Sequence, residues 1–291
     1  MDPVLIVLFV ALAVLTLVFA GTWAGAARSR LTAPAERVGL GFATNFFDAL
    51  GIGSFATTTT YFRLRKMVRD ELIPGTLNVG HCLPTITQAF ISITVIKVDV
   101  VTLVLLIATA VAGSWFGAGV VSRLPRRLIQ LGMGVALLIA AGFMLAKVTE
   151  VMPSTDAGTL GLSGGRLLIG LAGSFFLGSI MPLGIGYYAP CMILTTLLGM
   201  NPVVSWPIMT GACAFLMPVA SMQFVRKKKY NLRAAAGLAI GGVFGSALAL
   251  LVVKAMDLKK VMWLVTVVVL YTGLSLLWTA AREKRAAAPV S

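Results

Sequence analysis

The sequence predicts an all-α polytopic membrane protein made of two inverted repeats. Each repeat is a re-entrant or broken helix hairpin followed by three transmembrane helices, and one extra helix precedes them. Three observations predict this: apolar runs of bilayer length, a glycine-broken motif that occurs twice, and the placement of lysine and arginine.

Of 291 residues, 58% are hydrophobic and only 12% charged, and the mean hydropathy is +0.96. A soluble domain of this size does not reach such values. Crossing about 30 Å of hydrocarbon takes roughly 20 helical residues. Seven runs suffice: 4–27, 72–96, 100–121, 128–146, 203–225, 234–253 and 261–281. Two further segments, 38–62 and 167–198, are equally apolar but interrupted by glycine. The first run opens with MDPVLIV, an acid where a cleavable signal carries positive charge, so it is expected to remain as a helix. Cys82, Cys191 and Cys213 all fall in apolar segments. They lack the spacing of a metal site or a disulfide framework and read as small buried side chains, so no metal or cofactor is expected.

The net charge is +14 and the pI about 10.3. The basic residues cluster beside apolar segments, as cytoplasmic loops do against the lipid bilayer, and no basic soluble stretch exists to hold nucleic acid.

GIGSFA at 51–56 recurs as GIGYYA at 184–189, and at the same offset Pro74 meets Pro207. With one deletion, KVDV at 97–100 meets KYNL at 229–232, and Gly113-Ser114 meets Gly245-Ser246. Collinear matches of this kind indicate duplicated halves. Positive charge then decides how each half lies. Nine full crossings would divide the 24 basic residues 14 to 10, which decides nothing. If 38–62 and 167–198 each return to the side they left, the division becomes 18 to 6. Each half then has three crossings, an odd number, and the second must be inverted. The divisions are a first helix over 1–30, a first repeat over 37–146, an extracytoplasmic connection over 147–166, a second repeat over 167–280 and a cytoplasmic tail over 281–291. The N-terminus is expected outside the cytoplasm.

Backbone that is not helical survives at membrane depth only where protein surrounds it or water reaches it. The glycines Gly51, Gly53, Gly184 and Gly186 are therefore expected to line a cavity. A helix restarting after each break offers free N–H groups and a partial positive charge, which suit an anion. Side chains placed to complete a binding site are Ser54 and Thr57 in the first half and Tyr187, Tyr188 and Thr210 in the second. Asn78 and His81, three residues apart on one helix face, join them. His81 reads either as a donor or proton relay or as a satisfied contact between helices. Asp48, the one acid inside an apolar segment, suits the carriage of a coupling proton, with a capping role as the competing reading. Pro74, Pro190 and Pro207 are expected at helix breaks or hinges. Gly113/Gly117 and Gly237/Gly241/Gly245, spaced four apart, are read as packing residues.

The stretches LGIGSFATTTTYF, LIPGTLNVG, LGIGYYAPCMILTTLLGM and SWPIMTGACAF resemble the sulfite exporter TauE/SafE family of bacterial membrane permeases. That resemblance implies export of sulfite or an organosulfonate across the bacterial inner (cytoplasmic) membrane, driven by an ion gradient. One departure is Thr57, where the second half has Pro190. The resulting expectation is a secondary transporter of a small sulfur-containing anion, working by alternating access, with protons as a coupling ion. A passive anion channel and a structural membrane protein are the alternatives. No spacing of nucleophile and base suggests an enzyme, and the sequence fixes no oligomeric state.

Overall fold

The computed structural model describes residues 3–26, 33–49, 53–149, 159–184, 186–200 and 204–252, with part of 263–281. The cytoplasmic tail expected over 281–291 falls almost wholly outside the described residues, as do residues 150–158 of the connection expected over 147–166. The elements are α1 (Pro3–Ala26), α2 (Ala35–Ala49), α3 (Ser54–Leu64), α4 (Ile73–Val95), α5 (Val100–Val121), α6 (Arg126–Val148), α7 (Gly164–Ile180), α8 (Tyr188–Leu197), α9 (Ser205–Arg226) and α10 (Leu232–Val252). Short 3-10 turns at Asp70–Leu72 and Met181–Leu183 lead into α4 and extend α7. Described residues between 263 and 281 are helical. Among the described residues, five helices are long and apolar enough to cross a bilayer: α1, α5, α7 with its 3-10 extension, α9 and α10. Their outer faces expose Leu17, Phe116, Leu168 and Phe244, as a lipid-facing surface must. The chain is an all-α, multi-pass membrane protein.

Helix starts follow local chemistry. Asp99 caps α5 by accepting the Thr102 N–H at 2.7 Å. Pro74 is the second residue of α4, and Pro190 and Pro207 are the third residues of α8 and α9. A missing N–H costs nothing in the first turn, so these three prolines begin helices. The prolines inside helices are Pro84 in α4 and Pro218 in α9.

The most extensive pairings are α2 with α10, α5 with α7, and α4 with α9, followed by α4 with α10 and α5 with α9. Small residues make them possible. A Cβ on Gly113 would overlap the Phe175 carbonyl, and one on Gly245 would overlap the Phe42 carbonyl. Likewise Gly178 meets Ala110, and Gly242 meets Asn45. These two contacts thus occur in both halves of the chain with the halves exchanged. Side-by-side contacts also fix direction. Arg37 lies by Gly237 and Asn45 by Gly242, so α2 and α10 run the same way. Gly80 lies by Leu238 and Gln88 by Ser246, which adds α4 to them. Leu162 meets Thr102 and Ser179 meets Gly117, so α7 runs with α5. Gly211 meets Ile107 and Lys227 meets Gly119, placing α9 with them. Gly75 against Lys229 and Ser92 against Thr210 set α4 and α9 in opposite senses.

Both glycine-broken segments fold back to the end from which they start. At the first, Tyr61 beyond the break donates to Glu36 at the start of α2 (3.0 Å), and Arg65 pairs with the same carboxylate at 3.3 Å. At the second, Thr159 forms a parallel bridge with Met200, and its hydroxyl donates to Gly199. The charge count makes 167–198 return to its own side, although its arm to Leu183 is long enough for a broken crossing. Its two ends lie together.

One end of the bundle holds Arg37, the Arg63–Asp70 pair (2.6 Å), Arg65, and Lys227, which reaches the Ser122 hydroxyl at 2.6 Å. Arg127 joins them through the Ala280 carbonyl (3.3 Å). The opposite end holds Arg166 beside Gly199 and the Asp99 N–H bonded to Leu160. The first helix, α1, lies against α4, α5 and α9, with Phe9 stacked on Phe90 and Leu12 and Phe19 fully buried.

Candidate functional site

Each break is shaped by glycine backbone. Gly53 has φ +84°, Gly184 +102° and Gly186 +76°, left-handed values that other residues rarely adopt. A Cβ on Gly53 or Gly186 would meet nothing within 4 Å, and one on Gly184 would touch only the Leu77 side chain at 3.7 Å. Open space therefore lies beside the backbone at both breaks. Gly51 lies outside the described residues, as do Ile52 and Ile185.

Around these breaks the structure assembles a polar cluster. Asp48, in the last turn of α2, is 4% exposed. Its Oδ1 accepts the Ser54 N–H at 2.7 Å, so the protein's own carboxylate sits at the free start of α3. Its Oδ2 accepts from the Gln88 amide of α4 at 3.0 Å. The same Gln88 nitrogen donates to the Ser246 hydroxyl of α10 at 3.0 Å, while Gln88 Oε1 accepts from the Tyr188 hydroxyl at 2.9 Å. Tyr188 is the first residue of α8. One amide side chain therefore ties the residue before the first break to the residue after the second.

A second cluster surrounds His81, which is fully buried. Asn45 donates to the Gly41 carbonyl at 2.8 Å, which turns its Oδ1 toward His81 Nδ1 at 3.0 Å. Nδ1 then carries the ring proton, and Nε2 accepts from the Thr58 hydroxyl at 3.0 Å. Phe55 packs on the ring. Both nitrogens are satisfied, and the imidazole joins α2, α3 and α4.

The remaining residues singled out in the sequence fall elsewhere. Thr57 bonds back to the Gly53 and Ser54 carbonyls. Tyr187, 2% exposed, shares a hydrogen bond of 2.6 Å with Ser174, which in turn donates to the Leu106 carbonyl; it faces its own half. Thr210 meets Ser92 across the α4–α9 crossing at 2.6 Å. Asn78 donates to the Pro74 carbonyl, and its Oδ1 is buried without a hydrogen-bond partner, as is the Thr60 hydroxyl. Gln88 and Ser246, central to the cluster, were not among the expected site residues. Gln88 had one weak signal: it is an amide inside an otherwise apolar run, a costly placement.

Among the described residues no three or more His, Cys, Asp or Glu side chains gather in the manner of a metal site. No lysine or arginine pairs with Asp48 among the described residues. What the cluster offers chemically is a carboxylate that can hold a proton, hydroxyl and amide donors, and two helix starts beside open space. Comparison with known protein families, curated proteins and solved structures gives no match to this chain.

Proposed function

We propose that the protein is a secondary transporter, acting as an exporter, for a small sulfur-containing anion such as sulfite or an organosulfonate. The proposed place is a bacterial inner membrane, with the N-terminus outside and the C-terminus in the cytoplasm. The two halves are read as an inverted repeat that alternates access, and the resemblance to the sulfite exporter TauE/SafE family supplies the substrate class. The observation that carries this reading is the link Asp48–Gln88–Tyr188, which joins two glycine breaks that fold in from opposite ends of the bundle. Broken helices meeting around a polar point are the arrangement that secondary transporters use to hold an ion. Contacts that repeat with the halves exchanged support the duplication, and the gathering of basic side chains at one end supports the orientation.

In this mechanism the ionised Asp48 occupies the start of α3, where an anionic substrate would also bind. Proton uptake removes the negative charge from the start of α3 and, when the proton is on Oδ1, frees the Ser54 N–H, which links substrate occupancy to a proton. The test is flux in proteoliposomes. Labelled sulfite or sulfonate is expected to move with a pH gradient and to show counterflow against unlabelled substrate. Absence of movement with or without the gradient rejects the reading, and movement without counterflow assigns a channel instead.

A further inference from the structure

Gln88 links the two hairpins, and the sense of its hydrogen bonds depends on the charge of Asp48. We propose that Gln88 is a positioning residue that reads the protonation state of Asp48 and transmits it through Tyr188 to the second hairpin. This rests on the transporter reading for its purpose, although it needs no substrate to operate.

With Asp48 ionised, both of its oxygens accept, Oδ1 from the Ser54 N–H and Oδ2 from Gln88 Nε2. A proton on Oδ2 places donor against donor. Gln88 restores the contact only by turning its amide, so that Oε1 accepts from the Asp48 hydroxyl and the NH₂ faces Tyr188. Ser246, which accepted from Gln88, must then donate, and Tyr188, which donated, must accept. A proton on Oδ1 instead breaks the bond to Ser54. Every protonated arrangement therefore disturbs a link that is satisfied throughout when Asp48 is charged. Gln88 and Asp48 are each 4% exposed, so water does not readily replace a lost partner.

Few other groups compete for this role. Among the described residues, the titratable groups that interact electrostatically with Asp48 are Tyr188 of α8 and Cys213 of α9. From α3 and α10 come Ser54 and Ser246, and His81 of α4 is engaged with Asn45 and Thr58.

The native Cys191 supplies the readout. It lies on α8, one turn beyond Tyr188, and is 2% exposed. In a Cys82→Ala, Cys213→Ala background, the rate of alkylation by N-ethylmaleimide reports how readily α8 opens. Dividing the rate in Asp48→Asn by that in its parent at each pH removes the titration of the thiol itself. The ratio is expected to be near one at acid pH and to rise about fivefold toward neutral pH, the effect of one lost hydrogen bond. Introducing Gln88→Leu into both members of the pair is expected to flatten the ratio. Tyr188→Phe, which removes one oxygen, should do the same and stands on its own if Gln88→Leu does not fold. A ratio that ignores pH in the parent pair overturns the proposal, and so does a pH dependence that survives Tyr188→Phe. Failed sulfite flux with an intact alkylation response removes the substrate reading alone. A flat response alongside pH-driven flux removes the Gln88 role alone.

Discussion

The two halves of the chain have certain close helix contacts in common and differ in their polar chemistry. Gly113 against the Phe175 carbonyl matches Gly245 against the Phe42 carbonyl, so the close helix contacts are the same device used twice. Positions that correspond by adding 133 show the opposite behaviour. Asp48 is answered by Met181, Asn45 by Gly178, Thr58 by Cys191, His81 by Ala214 and Gln88 by Ser221. Ser221 is buried with its hydroxyl unpartnered, and Ser114, the counterpart of Ser246, reaches only the Leu216 carbonyl at 3.4 Å. Packing constrains every helix that must approach another in lipid. A polar cluster is needed once, and a second buried copy would cost desolvation without a partner.

That contrast can be broken or sharpened by substitution. The largest effects are expected at the shared contacts. Gly113→Val and Gly245→Val each drive a side chain into a carbonyl oxygen and should destabilise by about 1–3 kcal/mol or more, to a similar extent in both halves. Thermal aggregation monitored by size-exclusion chromatography measures this, and a harmless change in one half alone would end the equivalence of the two. Next is Asp48→Asn, expected to lower pH-driven flux by roughly tenfold to a hundredfold, the scale of a lost charge-assisted hydrogen bond, with normal expression. Its counterpart Met181→Leu should leave flux within a factor of about two, because volume and polarity are conserved. Full pH-driven flux in Asp48→Asn would contradict the one-sided chemistry.

A middle effect is expected at His81. His81→Ala strands the Asn45 Oδ1 and the Thr58 hydroxyl and should cost about 1–3 kcal/mol of stability. The pH profile of the remaining flux should be unchanged, since the ring is engaged at both nitrogens; a displaced profile would make it a proton carrier. The smallest effect belongs to the ends of the first hairpin. Glu36 and Arg65 are 44% and 61% exposed, and Glu36→Gln should change stability by no more than about 0.5 kcal/mol. A loss of several degrees in melting temperature would give this pair a weight that surface pairs do not normally have.

Four of the seven expected runs, 4–27, 100–121, 203–225 and 234–253, coincide with helices long and apolar enough to cross a bilayer, whereas the fifth such helix, Gly164–Leu183, falls in the segment read as a broken hairpin. Those runs and the positions of both breaks were legible because each is a local signal: helix-length hydropathy for the first, glycine between apolar neighbours for the second. The partners of the site were not legible in the same way. Gln88 gains its meaning from Ser246 and Tyr188, 158 and 100 positions further along, and in isolation it is an amide in an apolar helix. Tyr187 and Tyr188 are neighbours in sequence, yet one turns to Ser174 and the other to Gln88. Consecutive helical residues point about 100° apart, and which of the two faces the cluster depends on how α8 is rotated in the bundle. Pro74 and Pro207 read as interruptions because apolar sequence surrounds them. Their place in a first turn depends on where the preceding chain stops being helical.

The contacts of α1 bear on how the protein is made. Residues 3–26 leave the ribosome well before a principal neighbour, α9, which spans 205–226. Until that later helix arrives, α1 has α4 and α5 beside it but not α9. Contacts between segments so far apart in the chain form late, so docking of α1 on α9 is a late step of assembly, and a ribosome stalled ahead of α9 leaves that flank open to lipid.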